Sequence, residues 1–213
     1  MINISKVVVI RHGETLWNVD RKLQGQGNSD LTKLGVKQAE LAAGAIQAEK
    51  FDFCYSSDLP RCIHTAEIIT RNLGLDIITD ERLRERNFGV LQGMTKEEIE
   101  NVYPEIFQRF KMGNINFEVP KGESFNGFFN RVKDFFEDQK IMDKQNKNIL
   151  VITHGGVLDC LMRMIMNISL DAHRNYSIYN TSINRFSILN DVWKIDTWGD
   201  INHLSTISTT DDF

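Results

Sequence analysis

Two histidines sit in matching contexts: Arg11-His12-Gly13 ends the apolar run Val7 to Ile10, and His154-Gly155-Gly156 ends the run Ile149 to Thr153. If the two runs are neighbouring strands of an open parallel sheet, both imidazoles face one crevice at the carboxyl ends of the strands, where such sheets bind ligands. Arg61 reaches the same edge if a helix begins near it, and Glu85 follows a third strand candidate within Leu83-Arg84-Glu85-Arg86. Two imidazoles, at least two guanidiniums and a carboxylate suit phosphoryl transfer. The guanidinium forks of Arg11 and Arg61 can hold a phosphate dianion in bidentate fashion. A neutral imidazole nitrogen is a competent nucleophile toward phosphorus, giving a phosphohistidine. Like-charge repulsion from the bound dianion favours a protonated Glu85, which can then donate to the leaving alcohol. The scheme calls for no metal or other cofactor, and the sequence contains no His-x-x-x-His or Cys-x-x-Cys pairing.

The elements that must hold these groups follow from the punctuation. Strands are expected at Lys6 to Ile10, Phe51 to Tyr55, Leu75 to Thr79 and Ile149 to Thr153, with a closing hairpin of Ile183 to Leu189 and Val192 to Thr197 across Asn190-Asp191. Thr32 can cap a helix running to about Glu49, and Ser56, Ser57, Asp58 and Pro60 open one from Arg61 to about Asn72. Thr95 and Glu98 form a capping box for a helix toward Tyr103 that Pro104 interrupts. Phe125, Phe128, Phe129, Val132, Phe135 and Phe136 fall at helical spacing and read as a core-facing stripe. Leu158, Leu161, Met162, Ile165 and Met166 form a second such stripe. Residues 11–30, with three glycines and no apolar period, read as a long loop. The alternation predicts an α/β three-layer sandwich, a mainly parallel sheet with helices on both faces. The polar end from about Ser205 is expected to fray.

Composition narrows the class. The 213 residues are 41% hydrophobic and 25% charged with only 3 Pro, which fits one globular domain and excludes disordered and collagen-like chains. A net charge of -4 offers no bulk attraction to nucleic acid or to an anionic membrane, so anion binding has to come from a local cluster. No apolar run approaches the ~20 residues of a membrane helix, and no signal peptide reads at the start. Cys54, Cys62 and Cys160 are odd in number and lie in apolar patterns, as expected of buried thiols in the cytoplasm.

The run Arg11-His12-Gly13-Glu14-Thr15, with Trp17-Asn18 and Gln24-Gly25 behind it, resembles the signature of the histidine phosphatase superfamily, in its phosphoglycerate mutase-like branch. Further matches are Ser56-Ser57-Asp58-Leu59-Pro60-Arg61 with Thr65-Ala66, Glu85 with Phe88-Gly89 and Gln92-Gly93, and Thr153-His154-Gly155. The resemblance implies His12 as the phosphorylated nucleophile and Glu85 as the proton donor that later activates water. It implies Arg11, Arg61 and His154 as phosphoryl ligands, with Thr15, Asn18, Gln24 and Gly155 adding substrate contacts, and a cap at about 89–123 on a single domain spanning 1–213. Arg86 and Lys96 match basic positions that the mutases use for a second acidic group. The segment Tyr103 to Glu123 lacks the paired arginines of the mutase insertion, however, and His154 is followed by Gly155-Gly156 where mutases resemble Gly-Asn. The short cap, Gly122-Glu123-Ser124 and Trp198-Gly199-Asp200 look more like the broad-specificity and sugar-phosphate phosphatases.

The expected activity is therefore that of a metal-independent phosphatase acting on a small phosphorylated metabolite. A phosphoglycerate mutase and a catalytically weak phospho-ligand binding protein are the alternatives, and monomer and homodimer are both open. His64, His173 and His203 read as structural or surface residues, and Gly25-Gln26-Gly27 as a flexible loop lacking the last glycine of a dinucleotide motif. Arg21, Lys22, Lys111 and Lys121 are either ordinary solvated charges or a ring at the pocket mouth, and Cys62 reads as a buried thiol.

Overall fold

The computed structural model describes residues 4–138 and 147–207. Its centre is β1 (Ile4–Arg11), a β-branched run whose side chains alternate between two cores: Val7 and Val9 enter one, Val8 and Ile10 the other. The second run of this kind, β4 (Asn148–Thr153), pairs parallel to β1 from Lys6↔Asn148 to Arg11↔Thr153. His12 and His154 therefore each follow one end of a matched pair, which meets the condition set by the sequence.

β2 (Phe53–Ser56) lies on the far side of β4, and β3 (Ile77–Thr79) lies parallel beside β2. β5 (Ile183–Leu189) runs antiparallel to β1 and pairs with β6 (Val192–Asp200). Asn190 and Asp191 join them with φ of 49° and 62°, the left-handed pair that a two-residue hairpin turn needs. The order β3-β2-β4-β1-β5-β6 makes a mixed sheet, parallel through its first four strands.

Helices cover both faces. On one, α2 (Lys33–Ile46) and α3 (Pro60–Thr70) bury Ala42, Ile46, Cys62, Ala66 and Ile69 against Val8, Ile10, Leu150 and Ile152. On the other, α6 (Phe125–Phe136) and the helix after β4, α7 (Gly155–Met166), bury Phe128, Val132, Phe135, Leu158 and Leu161 against Val7, Val9 and Val151. Each buried phenylalanine stabilises this layer by about 1.5–3 kcal/mol. The aromatic stripe is thus core, as its spacing predicts, except that Phe125 and Phe129 are only partly buried.

Three local expectations are corrected. Residues 11–30 are not a continuous loop: Thr15 and Asn18 form a capping box on α1 (Leu16–Val19), a signal present in the sequence as Thr-x-x-Asn. Pro104 does not merely stop α4 (Lys96–Val102); its fixed φ and missing N–H place it at the first position of α5 (Pro104–Lys111). The helix capped by Thr32 stops at Ile46, short of Glu49. Between residues 89 and 123, Leu91, Ile99, Phe107, Phe117 and Val119 build a small core of their own. A short turn at Asn202–Leu204 follows β6, and 208–213, the end expected to fray, lie outside the described residues. Among the described residues no helix is long and apolar enough to cross a membrane.

Candidate active site

A pocket of about 250 Å³ opens over the carboxyl ends of β1 and β4, with Arg11, His12, Arg61 and Glu85 in its wall. His12 is 3% exposed, and its Nδ1 lies 2.8 Å from the carbonyl oxygen of Gly13. Only a protonated Nδ1 can donate there, so the lone pair resides on Nε2, which receives the Arg61 Nε–H at 3.3 Å. Burial above all, then the charges of Arg61 and Arg11, hold the imidazole pKa well below its ordinary 6.5 against the opposing pull of the Gly13 carbonyl. The group at the centre of the pocket is a neutral imidazole with an available nitrogen.

Arg61 is the second residue of α3, directly after Pro60. Its Nη1 donates to Gly27 O at 2.9 Å and its Nη2 to Gly25 O at 2.6 Å, tying the 24–27 loop to the His12 side of the pocket. Gly25 can serve here because its φ is 54° and a Cβ would run into the Gln92 amide. Arg11, 1% exposed at the end of β1, donates from Nη1 to Ile178 O at 2.7 Å.

His154 is fully buried at the N-cap of α7, 5.3 Å from the His12 ring in an edge-to-face arrangement. Its Nε2 lies 2.8 Å from Ser57 Oγ, and burial followed by Arg61, His12 and Arg11 holds its pKa well below 6.5. The Cys62 sulfur is 3.4 Å from the same nitrogen, and burial pushes its thiol up to about 12. Cys62 is a protonated, buried thiol, as its sequence context suggests.

Glu85 enters from the segment after β3. Its Oε1 accepts from Arg86 N at 2.8 Å and its Oε2 from Gly156 N at 2.9 Å, in the first turn of α7. This close approach requires glycine at 156. A Cβ there would overlap Glu85 Oε1 and lie 3.0 Å from its Cδ and 3.1 Å from Phe128 Cε1.

Asn18, Lys22, Gln24 and Arg86 line the pocket. Gln24 is 9% exposed, with its Oε1 buried and without a hydrogen bond among the described residues. Arg86 spends Nε on Glu123 O and Nη2 on Phe117 O while stacking over Phe88, Phe110 and Phe125. Gly155 is buried beside the lining residue Gly156.

Two expected contacts are not brought to the pocket. Thr15 is fully buried, its hydroxyl committed to capping α1 through Asn18. Lys96 is exposed at the first position of α4 and absent from the wall, as are Arg21, Lys111 and Lys121. The structure adds Gly156, Phe110, Asp159 and Arg174, which the sequence reading did not select. Phe110 comes from α5 and Arg174 from the connection between α7 and β5.

The same sheet with its helical layers is found in solved structures. Bacillus stearothermophilus YhfR superposes with a TM-score of 0.86 at 31% identity, covering 94% of this chain and 99% of its own. A mycobacterial glucosyl-3-phosphoglycerate phosphatase solved with VO3 gives a TM-score of 0.76 at 27% identity, covering 91% and 98%. The architecture is thus a phosphoglycerate mutase-like α/β fold. The chain belongs to the histidine phosphatase superfamily (branch 1), whose model matches residues 7–201. Among curated relatives, phosphoglycerate mutase-like protein 4 of Arabidopsis thaliana is 37% identical over 208 residues, 95% of this chain and 88% of that protein.

Proposed function

We propose that the chain is a metal-independent phosphoric monoester hydrolase acting on a small phosphorylated metabolite through a phosphohistidine on His12. Its phosphoryl dianion lies between the Arg11 and Arg61 guanidiniums with His154 beside them. His12 Nε2 attacks phosphorus, the N–P bond forms as the ester P–O bond breaks, and Glu85 passes its proton to the departing alkoxide. The Glu85 carboxylate then takes a proton from water as its oxygen attacks phosphorus, and the N–P bond breaks to release phosphate. Charge on the equatorial oxygens is met by two fixed cations, the role a metal ion would otherwise fill.

The observation that carries this reading is the His12 tautomer: Nδ1–H donated to Gly13 O, and a neutral Nε2 held toward the pocket by Arg61. The residues 89–123 act as the cap over the leaving group. The buried, unpaired Cys54, Cys62 and Cys160 suit the cytoplasm, a reducing compartment.

The name of the Arabidopsis relative favours a second reading, phosphoglycerate isomerisation. Against it, Lys96 stands outside the pocket and two of the Arg86 donor nitrogens are spent on backbone carbonyls. A panel of p-nitrophenyl phosphate, 3-phosphoglycerate, 2,3-bisphosphoglycerate and fructose bisphosphates, assayed in chelator, separates the readings. Phosphate release without isomerisation supports the hydrolase; dominant isomerisation replaces it with the mutase; silence on both leaves a binding protein.

A further inference from the structure

Glu85 stands on a stretch of chain that has neither a strand ladder nor a helix to hold it. A single 3-10 turn, Glu81–Leu83, ends at Arg84, the next begins at Gly89, and residues 85–88 between them belong to no regular element. A catalytic group misplaced by about 1 Å costs about a hundredfold in rate. The backbone that carries Glu85 therefore has to be fixed from outside its own segment.

The carbonyls of this segment converge on one side chain of α6. Arg131 Nη1 donates to Arg82 O at 2.9 Å and to Arg84 O at 3.0 Å, and reaches Glu81 O at 3.3 Å. Its Nη2 donates to Glu85 O at 3.3 Å and to Glu123 Oε1 at 2.6 Å, while its Nε faces Glu123 Oε2 at 3.4 Å. Glu123 carries the clamp past Glu85: the same Oε1 accepts Asn87 N at 2.8 Å, and Glu123 N donates to Asn87 O at 2.9 Å. Backbone on both sides of Glu85 is thus tied to one ion pair, whose side chains are 21% and 23% exposed. The mount is rigid, because α6 is seated in the core through Phe128, Val132 and Phe135. A planar guanidinium has donors enough for all these acceptors, and an ammonium does not. Arg131 is absent from the pocket wall, so it acts on the backbone and not on a bound ester.

We propose that Arg131, paired with Glu123, is the positioning residue of the proton donor, fixing the chain around Glu85 so that its carboxyl meets the leaving-group oxygen. This deepens the hydrolase reading and rests on Glu85 as its proton donor. Through Glu123, the last residue of the cap, the same clamp ties the placement of the donor to the cap.

The test compares the wild-type protein with Arg131→Met and Arg131→Lys, each alone and combined with Glu85→Gln. Two rates are read: kcat for the alkyl phosphate of the panel that the wild-type protein turns over fastest, and the first-turnover burst of p-nitrophenol, a leaving group that needs no proton. Arg131→Met should lower the alkyl kcat by about a hundredfold, with KM and the burst rate unchanged, and Arg131→Lys should show the same pattern. On the Glu85→Gln background neither substitution should slow the alkyl ester further, because the group being positioned is already removed. Arg131→Lys keeps the charge and the apolar stem, so it carries the comparison if Arg131→Met does not unfold cooperatively. Equal losses for the two leaving groups, losses that add to those of Glu85→Gln, or a wild-type alkyl kcat in Arg131→Lys overturn the proposal. A wild-type protein that releases phosphate from neither class of ester overturns the hydrolase reading instead, and the positioning role falls with it.

Discussion

The neutrality of His12 has a thermodynamic cost that appears as acid sensitivity. Folded His12 binds no proton at mild acidity because burial and two arginines hold its pKa well below 6.5. In the unfolded chain the same imidazole titrates near about 6.5. The unfolded state therefore binds more protons below that pH, and stability present above about pH 6.5 is lost progressively as the pH falls. With the folded form still neutral, one such histidine costs about 0.1 kcal/mol at pH 7.5 and about 1.4 kcal/mol at pH 5.5. His154 is shifted in the same direction and adds a comparable loss. His12→Asn keeps an N–H donor for the Gly13 carbonyl while removing the titration. Urea unfolding at half-unit pH steps from 7.5 to 5.5 should show the wild-type protein losing about 1.4 kcal/mol more than the variant. Parallel stability curves for the two proteins would refute the claim that folded His12 is held neutral.

Four further outcomes follow from the geometry. His12→Ala should abolish phosphate release and leave a cooperative unfolding transition by circular dichroism. Glu85→Gln should slow the phosphorylation step of alkyl phosphates by about 10²–10⁴-fold while sparing that of p-nitrophenyl phosphate, read as the first-turnover burst of p-nitrophenol, because only a poor leaving group needs the proton; equal losses in that step would argue against a proton donor. Gly156→Ala should lower kcat for alkyl phosphates by about a hundredfold as its Cβ displaces the Glu85 carboxyl, with little change in Tm because alanine gains about 1 kcal/mol of helix propensity. Cys62 should resist iodoacetamide in the native protein at pH 8 and react on unfolding, since burial keeps its thiol protonated.

The residues that carry the chemistry were readable because they punctuate strands. Arg11-His12-Gly13 and His154-Gly155 follow apolar runs too short and too β-branched to be anything but buried strands. Their placement together needed one long-range fact, the parallel register of β1 with β4, which the alternation of elements makes natural. Arg61 was legible from Pro60 and the serines before it. Thr15 and Lys96 were assigned by position in a motif, and local chemistry overrode that assignment. The Thr15 hydroxyl satisfies a helix end, and Lys96 begins a helix whose capping box faces solvent. Asp159 and Arg174 left no local signal, because α7 and the chain after it reach the cleft only through tertiary packing. The role of Gly156 was hidden for a related reason: its need is set by a carboxylate 71 positions away in the chain.

The account stands on a covalent phosphoryl group at His12. Glu85→Gln lacks the base that activates water and should slow hydrolysis of this adduct, while a good leaving group still lets it form, so the variant is mixed with p-nitrophenyl phosphate, quenched in alkali within a turnover, and its peptides are examined by mass spectrometry. A phosphoryl adduct on the His12 peptide, stable in alkali and lost in acid, is the predicted result. Phosphate release at wild-type rates with no adduct at His12 would contradict the account.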